Sequence, residues 1–319
     1  MANFLKNVNK QFKSLFKVYN NTTNWGKILI FILLLILIIV FFKYIDHPKR
    51  EGFEQQDKFL FKGNQEIYDG FYVGIYDYLV YNQMKDQYEV GEIINKTTPS
   101  EESIILDVGS GTGHHVAEIQ KRDLKQVMGI DISPSMVAKA KENYPDLDFV
   151  QGDVLYADQF QPSSFTHIMC LYFTIYYFKD KTVFFKNCMN WLMRGGYLII
   201  HLVNRETFDP ILPPGNPLLF VSPQKYAKKR ITSTNVKFDT FTYSSNFELD
   251  EKKNIAKFVE KFKDDDSGKT RKQEHILYMD TQEEILRQAQ DAGFILQGKI
   301  DLLHCSYENQ YLYILVKPQ

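Results

Sequence analysis

The chain has 319 residues, 44% of them hydrophobic and 24% charged, a balance that excludes wholesale disorder, a mini-scaffold and a multi-span membrane protein. Lys plus Arg number 38 against 39 Asp plus Glu, a formal charge of −1, so no global basic excess exists to condense on nucleic acid. Cys170, Cys188 and Cys305 are odd in number and outside any Cys-x-x-Cys spacing, which argues against a disulfide framework or zinc knuckle and for buried, reduced thiols.

The charge is uneven. Residues 1–27 form a basic amino-terminal tail with Lys6, Lys10, Lys13, Lys17 and Lys27 and no acid, and removing those five leaves 33 basic against 39 acidic groups, or −6, on the rest. Every residue from Ile28 to Phe42 is apolar. With Trp25, Tyr44 and Ile45 the stretch reaches about 20 residues, the span of a bilayer's hydrocarbon. Lys27 and Lys43 are placed to snorkel, and Trp25 and Tyr44 suit the headgroup level. No small-residue cleavage site follows, so residues 28–45 read as an uncleaved transmembrane anchor rather than a signal peptide. Residues 46–63, charged and carrying Pro48, Gly52 and Gly63, read as a linker.

A catalytic body is expected over 64–319. Tyr68, Tyr72 and Tyr76 recur at helical spacing with Phe71, Ile75 and Leu79 beside them, which predicts a helix packed on something apolar. Short apolar runs then follow at Ile104 to Val108, Gln126 to Asp131, Leu147 to Gln151, Phe165 to Leu171 and Tyr197 to Val203. Helical stretches near 113–121, 134–143 and 181–192 alternate with them. This alternation predicts a doubly wound, mostly parallel α/β sheet. Ser133 and Pro134 form a helix start, and Gly195-Gly196 a stop. Residues 204–281 break the pattern: a Pro-rich loop from Asp209 to Pro217 leads to alternating segments near 236–248, 254–263 and 271–279, an antiparallel insertion with turns at Asp250 to Lys253 and Asp264 to Gly268. Thr281 caps a helix over 282–292, and strands near 295–302 and 311–316 complete seven in the main sheet.

The first of these strands runs into Asp107-Val108-Gly109-Ser110-Gly111-Thr112-Gly113 and then a helix. Glycines there let the backbone approach a ligand at the carboxyl end of the strands, where open α/β sheets bind. A dinucleotide fingerprint needs Gly-x-Gly-x-x-Gly, but the third position falls on His114. The carboxylate of Asp107 repels a pyrophosphate and suits a cofactor bearing sulfonium and ammonium groups.

The motifs Ile105 to Gly113, Gly129-Ile130-Asp131-Ile132-Ser133, Gln151-Gly152-Asp153-Val154 and Leu192 to Tyr197 resemble those of the class I S-adenosylmethionine-dependent methyltransferases, a resemblance that covers residues 100–203 well and the last elements loosely. It implies a Rossmann-like fold, S-adenosyl-L-methionine as cofactor, and roles by position. Gly109, Ser110, Gly111 and Gly113 line the methionine portion with Asp107 orienting it. Asp131, with Ile132 beside it, accepts from the ribose hydroxyls, Met136 and Val154 sandwich adenine, Asp153 takes its amine, and Leu171 with Tyr172 closes over the cofactor. The tyrosine-bearing helix is expected to cap the cofactor's carboxylate. It also places the catalytic domain on the cytosolic side of a single-pass anchor, although five basic residues before the span against Lys43, Lys49 and Arg50 after it favour a cytosolic amino terminus.

Methyl transfer is an in-line displacement at an activated carbon, so alignment and exclusion of water carry much of it. An O or N acceptor also calls on a base. Tyr172, Tyr176 and His201 are the candidates, with Tyr177, Asn204 and Glu206 nearby, while an apolar strand position suits His201 as a core histidine. The expected acceptor is a small or lipid-like molecule. Alternatives are a membrane-tethered scaffold that has lost catalysis, or a methyltransferase of RNA or protein. No metal site is expected: His114 and His115 are adjacent and cannot share a face. Gly268-Lys269-Thr270 lacks the P-loop glycine at Lys263, and the basic run Lys225, Lys228, Lys229, Arg230 reads as a solvated face.

Overall fold

The computed structural model describes residues 22–45, 57–215 and 223–319, with the side chains of 39–45, Pro223 and Lys225 excepted. The tail over 1–21, the linker over 46–56 and residues 216–222 lie outside them, as do the side chains of Lys43, Tyr44 and Lys225. The chain divides between Gly52 and Phe53 into two compact units.

In the first unit, helix α1 (Asn24–Ile45) spans 22 residues, about 33 Å at 1.5 Å per residue. Thr23 Oγ1 accepts from the Gly26 amide at 3.3 Å, so the helix starts at a threonine cap. Leucine and isoleucine occupy every side of it, and among the described residues Leu29, Phe31, Leu33 and Ile36 are exposed rather than gathered on a buried apolar stripe. Counted over residues with described side chains, which end at Ile38, no helix is long and apolar enough to cross a membrane.

The second unit is built on two sheets. The larger has seven strands in the order β11-β12-β6-β5-β2-β3-β4: β2 (Ile105–Val108), β3 (Val127–Asp131), β4 (Asp148–Gln151), β5 (Phe165–Cys170), β6 (Leu192–Val203), β11 (Ile295–Asp301) and β12 (Gln310–Val316). β4, β3, β2, β5 and β6 pair in parallel, and β12 and β11 add antiparallel. Helices α4 (His114–Gln120), α5 (Pro134–Asn143), α6 (Lys181–Trp191) and α7 (Gln282–Asp291) connect them. The expected seven-stranded mixed sheet is present, with each boundary within a few residues except that β6 begins at Leu192, five residues early.

The caps explain the helix starts. Ser133 Oγ accepts from the Met136 amide at 3.2 Å, and Thr281 makes a reciprocal capping box with Glu284. Burial does the rest: strands β2 and β5 and the second half of β6 are buried on both faces, as in a sheet covered by helices. Trp191, Phe184 and Phe185 fill one face, Ile119, Val116 and Ile199 the other. All three cysteines are buried and free.

The second sheet has five strands in the order β1-β10-β9-β8-β7: β7 (Ser233–Lys237), β8 (Phe241–Asp250), β9 (Ile255–Asp264), β10 (Thr270–Tyr278) and β1 (Phe59–Gly63). The first four form the antiparallel insertion. β1 corrects the sequence reading, which ended the linker at residue 63: residues 59–63 pair in parallel with β10, Phe59 opposite Thr270. The tyrosine helix begins later than expected, at α2 (Gly70–Val80), because Asp69 accepts from the Tyr72 amide and fixes the cap there. Helix α3 (Gln83–Thr97), for which the sequence reading had no assignment, follows it.

Candidate active site

The loop after β2 turns on Gly109 (φ 68°), Gly111 (φ 53°) and Gly113 (φ 92°), conformations that side chains disfavour. At Gly109 space matters as well: a Cβ there would stand 2.6 Å from the Thr174 side chain. The Gly109 and Ser110 amides donate to the Ile130 carbonyl at 2.8 and 3.0 Å, and the Gly111 amide donates to Asp131 Oδ2 at 3.0 Å. Asp131 Oδ1 accepts from the Ser133 amide at 2.9 Å. Burial pushes the Asp131 carboxyl above its ordinary value, and these amides pull it back. The neighbouring strand ends beside it, with the Gly152 amide donating to the Asp131 carbonyl at 3.0 Å.

These strand ends open on one cavity of about 500 Å³ between the two sheets. Gly109, Gly111, Asp131, Ile132, Met136, Asp153 and Val154 line it, as does Tyr172. The glycine turn and both carboxylates thus share a cleft. The other predicted residues stand outside the lining. Gly113 caps α4, and Leu171 is packed in the core. Ser110 is buried with its Oγ unpartnered, and Asp107 is buried beneath the loop with Oδ2 unpartnered.

Asp107 faces a network the sequence did not announce. Lys85 Nζ lies 2.6 Å from Glu89 Oε1, and His115 Nε2 lies 3.1 Å from Glu89 Oε2 and 3.6 Å from Asp86 Oδ1. Against the penalty of burial, Asp86 and Glu89 push the His115 imidazole up to about 9, and Lys85 with His115 holds Glu89 down at about 2. Burial, opposed by His115 and helped by Asp86, Asp131 and Glu89, pushes Asp107 up to about 7. Asp86, Glu89 and His115 bring one ligand atom each within 4.8 Å of one another. The ammonium on Glu89 and the protonated imidazole already supply the positive charge that a cation would bring, so the set is built as an ion-pair network.

Of the candidate bases, Tyr176 and His201 stand outside the cavity lining. The Tyr176 hydroxyl accepts from the Val203 amide at 2.8 Å in the core. His201 is fully buried, its Nδ1 is bonded to the Tyr172 carbonyl, and burial pushes its pKa down to about 4. Tyr172 does face the cavity, in a left-handed backbone conformation (φ 52°) with Lys85 Nζ 5.0 Å from its ring. Tyr177 lines the cavity too, whereas Asn204 and Glu206 do not.

The far wall comes from the second sheet and the Pro-rich loop: Phe208, Pro210, Leu212, Phe247, Phe258 and Leu277. None of these was predicted individually, though a pocket under that loop was expected. Residues ahead of α2 also contribute, since Asn64, Gln65 and Tyr68 line the cavity. Ser133 Oγ donates to the Tyr68 carbonyl at 3.0 Å and fastens that segment over the cleft.

A doubly wound sheet with a glycine turn and acidic ends on two adjacent strands, all on one cleft, defines an α/β protein that holds a nucleoside-bearing cofactor. Residues 106–200 match the family model described as "Methyltransferase domain". The demethylmenaquinone methyltransferase of Chlorobaculum tepidum is 34% identical over 106 residues, 32% of this chain and 42% of that protein. This chain thus spans about half or less of the length of the curated relatives it matches. Among solved structures, an S-adenosylmethionine-dependent methyltransferase from Clostridium acetobutylicum superposes with a TM-score of 0.60 at 17% identity, over 78% of this chain and 98% of that one. S-adenosylmethionine-bound CalS10, an amino pentose methyltransferase from Micromonospora echinaspora, does so with 0.56 at 19%, over 80% and 99%. Residues 106–200 are thus similar to a methyltransferase domain, and the fold is one shared with S-adenosylmethionine-dependent methyltransferases, which makes S-adenosylmethionine the cofactor to test against this cleft. The residues present fit that group: a carboxylate ends β3 with lone pairs to spare, apolar Met136 and Val154 flank the opening, and the backbone at Gly109 and Gly111 is bare.

Proposed function

We propose that this chain is a membrane-anchored enzyme that transfers a methyl group from S-adenosylmethionine to an O or N atom of a small, apolar or lipid-like acceptor. The observation that carries the reading is the two-ended cavity, with the glycine turn, Asp131 and Asp153 at one end and a wall of phenylalanines, proline and leucine at the other. Bound there, the cofactor supplies a methyl carbon already activated by its sulfonium. In this reading Asp131 accepts from the ribose hydroxyls, a charge-assisted contact. Asp153 takes the adenine amine, Met136 and Val154 pack on the ring, and Gly109 and Gly111 admit the methionine portion. The apolar wall orients the acceptor and excludes water. Asp107 lies buried beneath the loop, outside the cavity lining.

The anchor part of the reading rests on α1, apolar on all sides and flanked by Lys27 and Trp25. A lipid-like acceptor suits such a tether, and in this reading the catalytic unit faces the cytosol, where the donor is made. Calorimetry of the purified full chain with S-adenosylmethionine tests the core of the proposal. Saturable one-site binding is expected, and folded protein that takes up no cofactor would refute it.

A further inference from the structure

The cavity wall contains a hydrogen-bonded chain that no sequence motif marks. The Tyr68 hydroxyl donates to the Tyr177 hydroxyl at 2.9 Å, Tyr177 lies 2.7 Å from His275 Nδ1, and His275 Nε2 lies 2.9 Å from Glu260 Oε2. Tyr68, Tyr177 and His275 all line the cavity, while Glu260 is fully buried behind them. The four residues come from the segment before α2, the turn after β5, β10 and β9, so the arrangement is tertiary.

The direction of the bonds follows from Glu260. Its carboxylate accepts from the Tyr72 hydroxyl at 2.8 Å, the Tyr243 hydroxyl at 2.7 Å and the Gln273 amide at 2.7 Å, besides His275. Burial opposes ionisation, but the bonds from His275, Gln273 and Tyr243 outweigh it and hold the carboxyl below its ordinary value. An ionised Glu260 therefore fixes the proton of His275 on Nε2. This leaves Nδ1 as an acceptor turned to the Tyr177 hydroxyl, the logic by which a carboxylate orients a catalytic imidazole. Burial pushes both phenols upward, with Tyr177 and Tyr76 adding to it at Tyr68. Neither phenol stands ionised on its own, so the basic atom of the chain is the imidazole.

We propose that Tyr68, Tyr177 and His275 form a proton relay, positioned by Glu260, that deprotonates the methyl acceptor. This rests on the methyltransferase reading above. It narrows the acceptor to one whose attacking atom carries a proton, a hydroxyl or an amine on an apolar body. The balance is as follows. The acceptor heteroatom forms its bond to the methyl carbon, and the electron pair of the broken carbon–sulfur bond stays on sulfur. The acceptor's proton passes to the Tyr68 oxygen as that hydroxyl's proton passes to Tyr177 and that of Tyr177 to His275 Nδ1. One positive charge leaves sulfur and one appears on the imidazole, 2.9 Å from the Glu260 carboxylate. The titratable groups facing His275 are Tyr68, Tyr72, Tyr177 and Glu260, so the charge that forms there meets one anion and three neutral phenols.

The test uses the full chain with 15N-labelled histidine. Ring-nitrogen NMR is expected to show His275 protonated on Nε2 and bare on Nδ1 at pH 8, and the opposite tautomer would overturn the relay whatever the cofactor does. With S-adenosylmethionine and 2-naphthol or 2-naphthylamine as probe acceptors, Tyr177→Phe and His275→Gln are expected to lower kcat at least 30-fold and to leave KM and cofactor affinity within 3-fold. Variants that keep kcat would overturn it. Loss of cofactor binding in the unmodified chain would instead strike the methyltransferase reading, with the tautomer result still deciding the geometry of the chain.

Discussion

At the scale of single residues, two positions carry the cofactor end of the cleft by different physics. Asp131 holds the loop, through the Gly111 amide, and presents its remaining lone pairs to the cavity. Asp131→Ala is expected to weaken S-adenosylmethionine binding by one to two powers of ten, about 1.5–3 kcal/mol for a hydrogen bond to a charged group, as read by calorimetry. Gly109 acts by what it lacks. Gly109→Ala must place a Cβ against Thr174 at φ 68°, a strain of about 1–3 kcal/mol. Lowered denaturant midpoint together with lost cofactor binding is expected, and Thr174→Ser is expected to restore neither, since its Oγ remains. These residues were legible because glycine at positive φ and an acid at a strand end leave a fixed spacing in the sequence. His275 and Glu260 were not. His275 shares its buried face of β10 with Arg271 and Gln273, and Glu260 stands between buried Ala256 and Phe262 on β9, so an alternation read by hydrophobicity alone gives the strand without its function.

Among the elements, α3 and α4 are joined by charge as well as by packing. Asp86 and Glu89 project from α3 onto His115 of α4, and Lys85 pairs with Glu89 on α3 itself. His115 is raised from 6.5 to about 9, so its contribution is complete below pH 6.5 and is lost as pH rises through 9. Glu89 is lowered from 4.5 to about 2, so its contribution is complete above pH 4.5 and is lost as pH falls toward 2. Asp107, raised from 3.8 to about 7, stabilises in its neutral form and has given that up by the time pH exceeds 7. Thermal scans between pH 7 and 9 therefore isolate His115: the melting temperature is expected to fall by several degrees over that interval, and His115→Gln to flatten the slope. Glu89→Gln leaves Lys85 buried with half its partner, and a loss of about 3–5 kcal/mol in denaturant unfolding is expected. Helix α3 escaped the sequence reading because its buried face carries Lys85, Asp86 and Glu89, which an apolar-periodicity search counts as surface. The capped helices α5 and α7 were legible because Ser133 and Thr281 announce their first turns.

For the whole molecule, the doubly wound, mostly parallel sheet and the class of cofactor followed from alternation and motif, whereas the order of its strands and the pocket's second wall required three-dimensional knowledge of how the chain folds back. The anchor reading is testable at this scale: full chain mixed with vesicles of neutral phospholipid is expected to float with them on a density gradient and a chain lacking residues 1–52 to remain below, and flotation of both would remove α1 as the cause. Where such a truncation is cut is decided by β1. A fragment starting at Asn64, the boundary that composition suggests, strips the parallel neighbour from β10 along Phe59–Gly63 and lays bare a row of amide and carbonyl groups next to His275. Naked borders of this sort recruit other chains, so the shorter protein should clump at micromolar concentration while one beginning at Phe53 stays monodisperse, and anyone preparing crystals has eleven residues' reason to cut early.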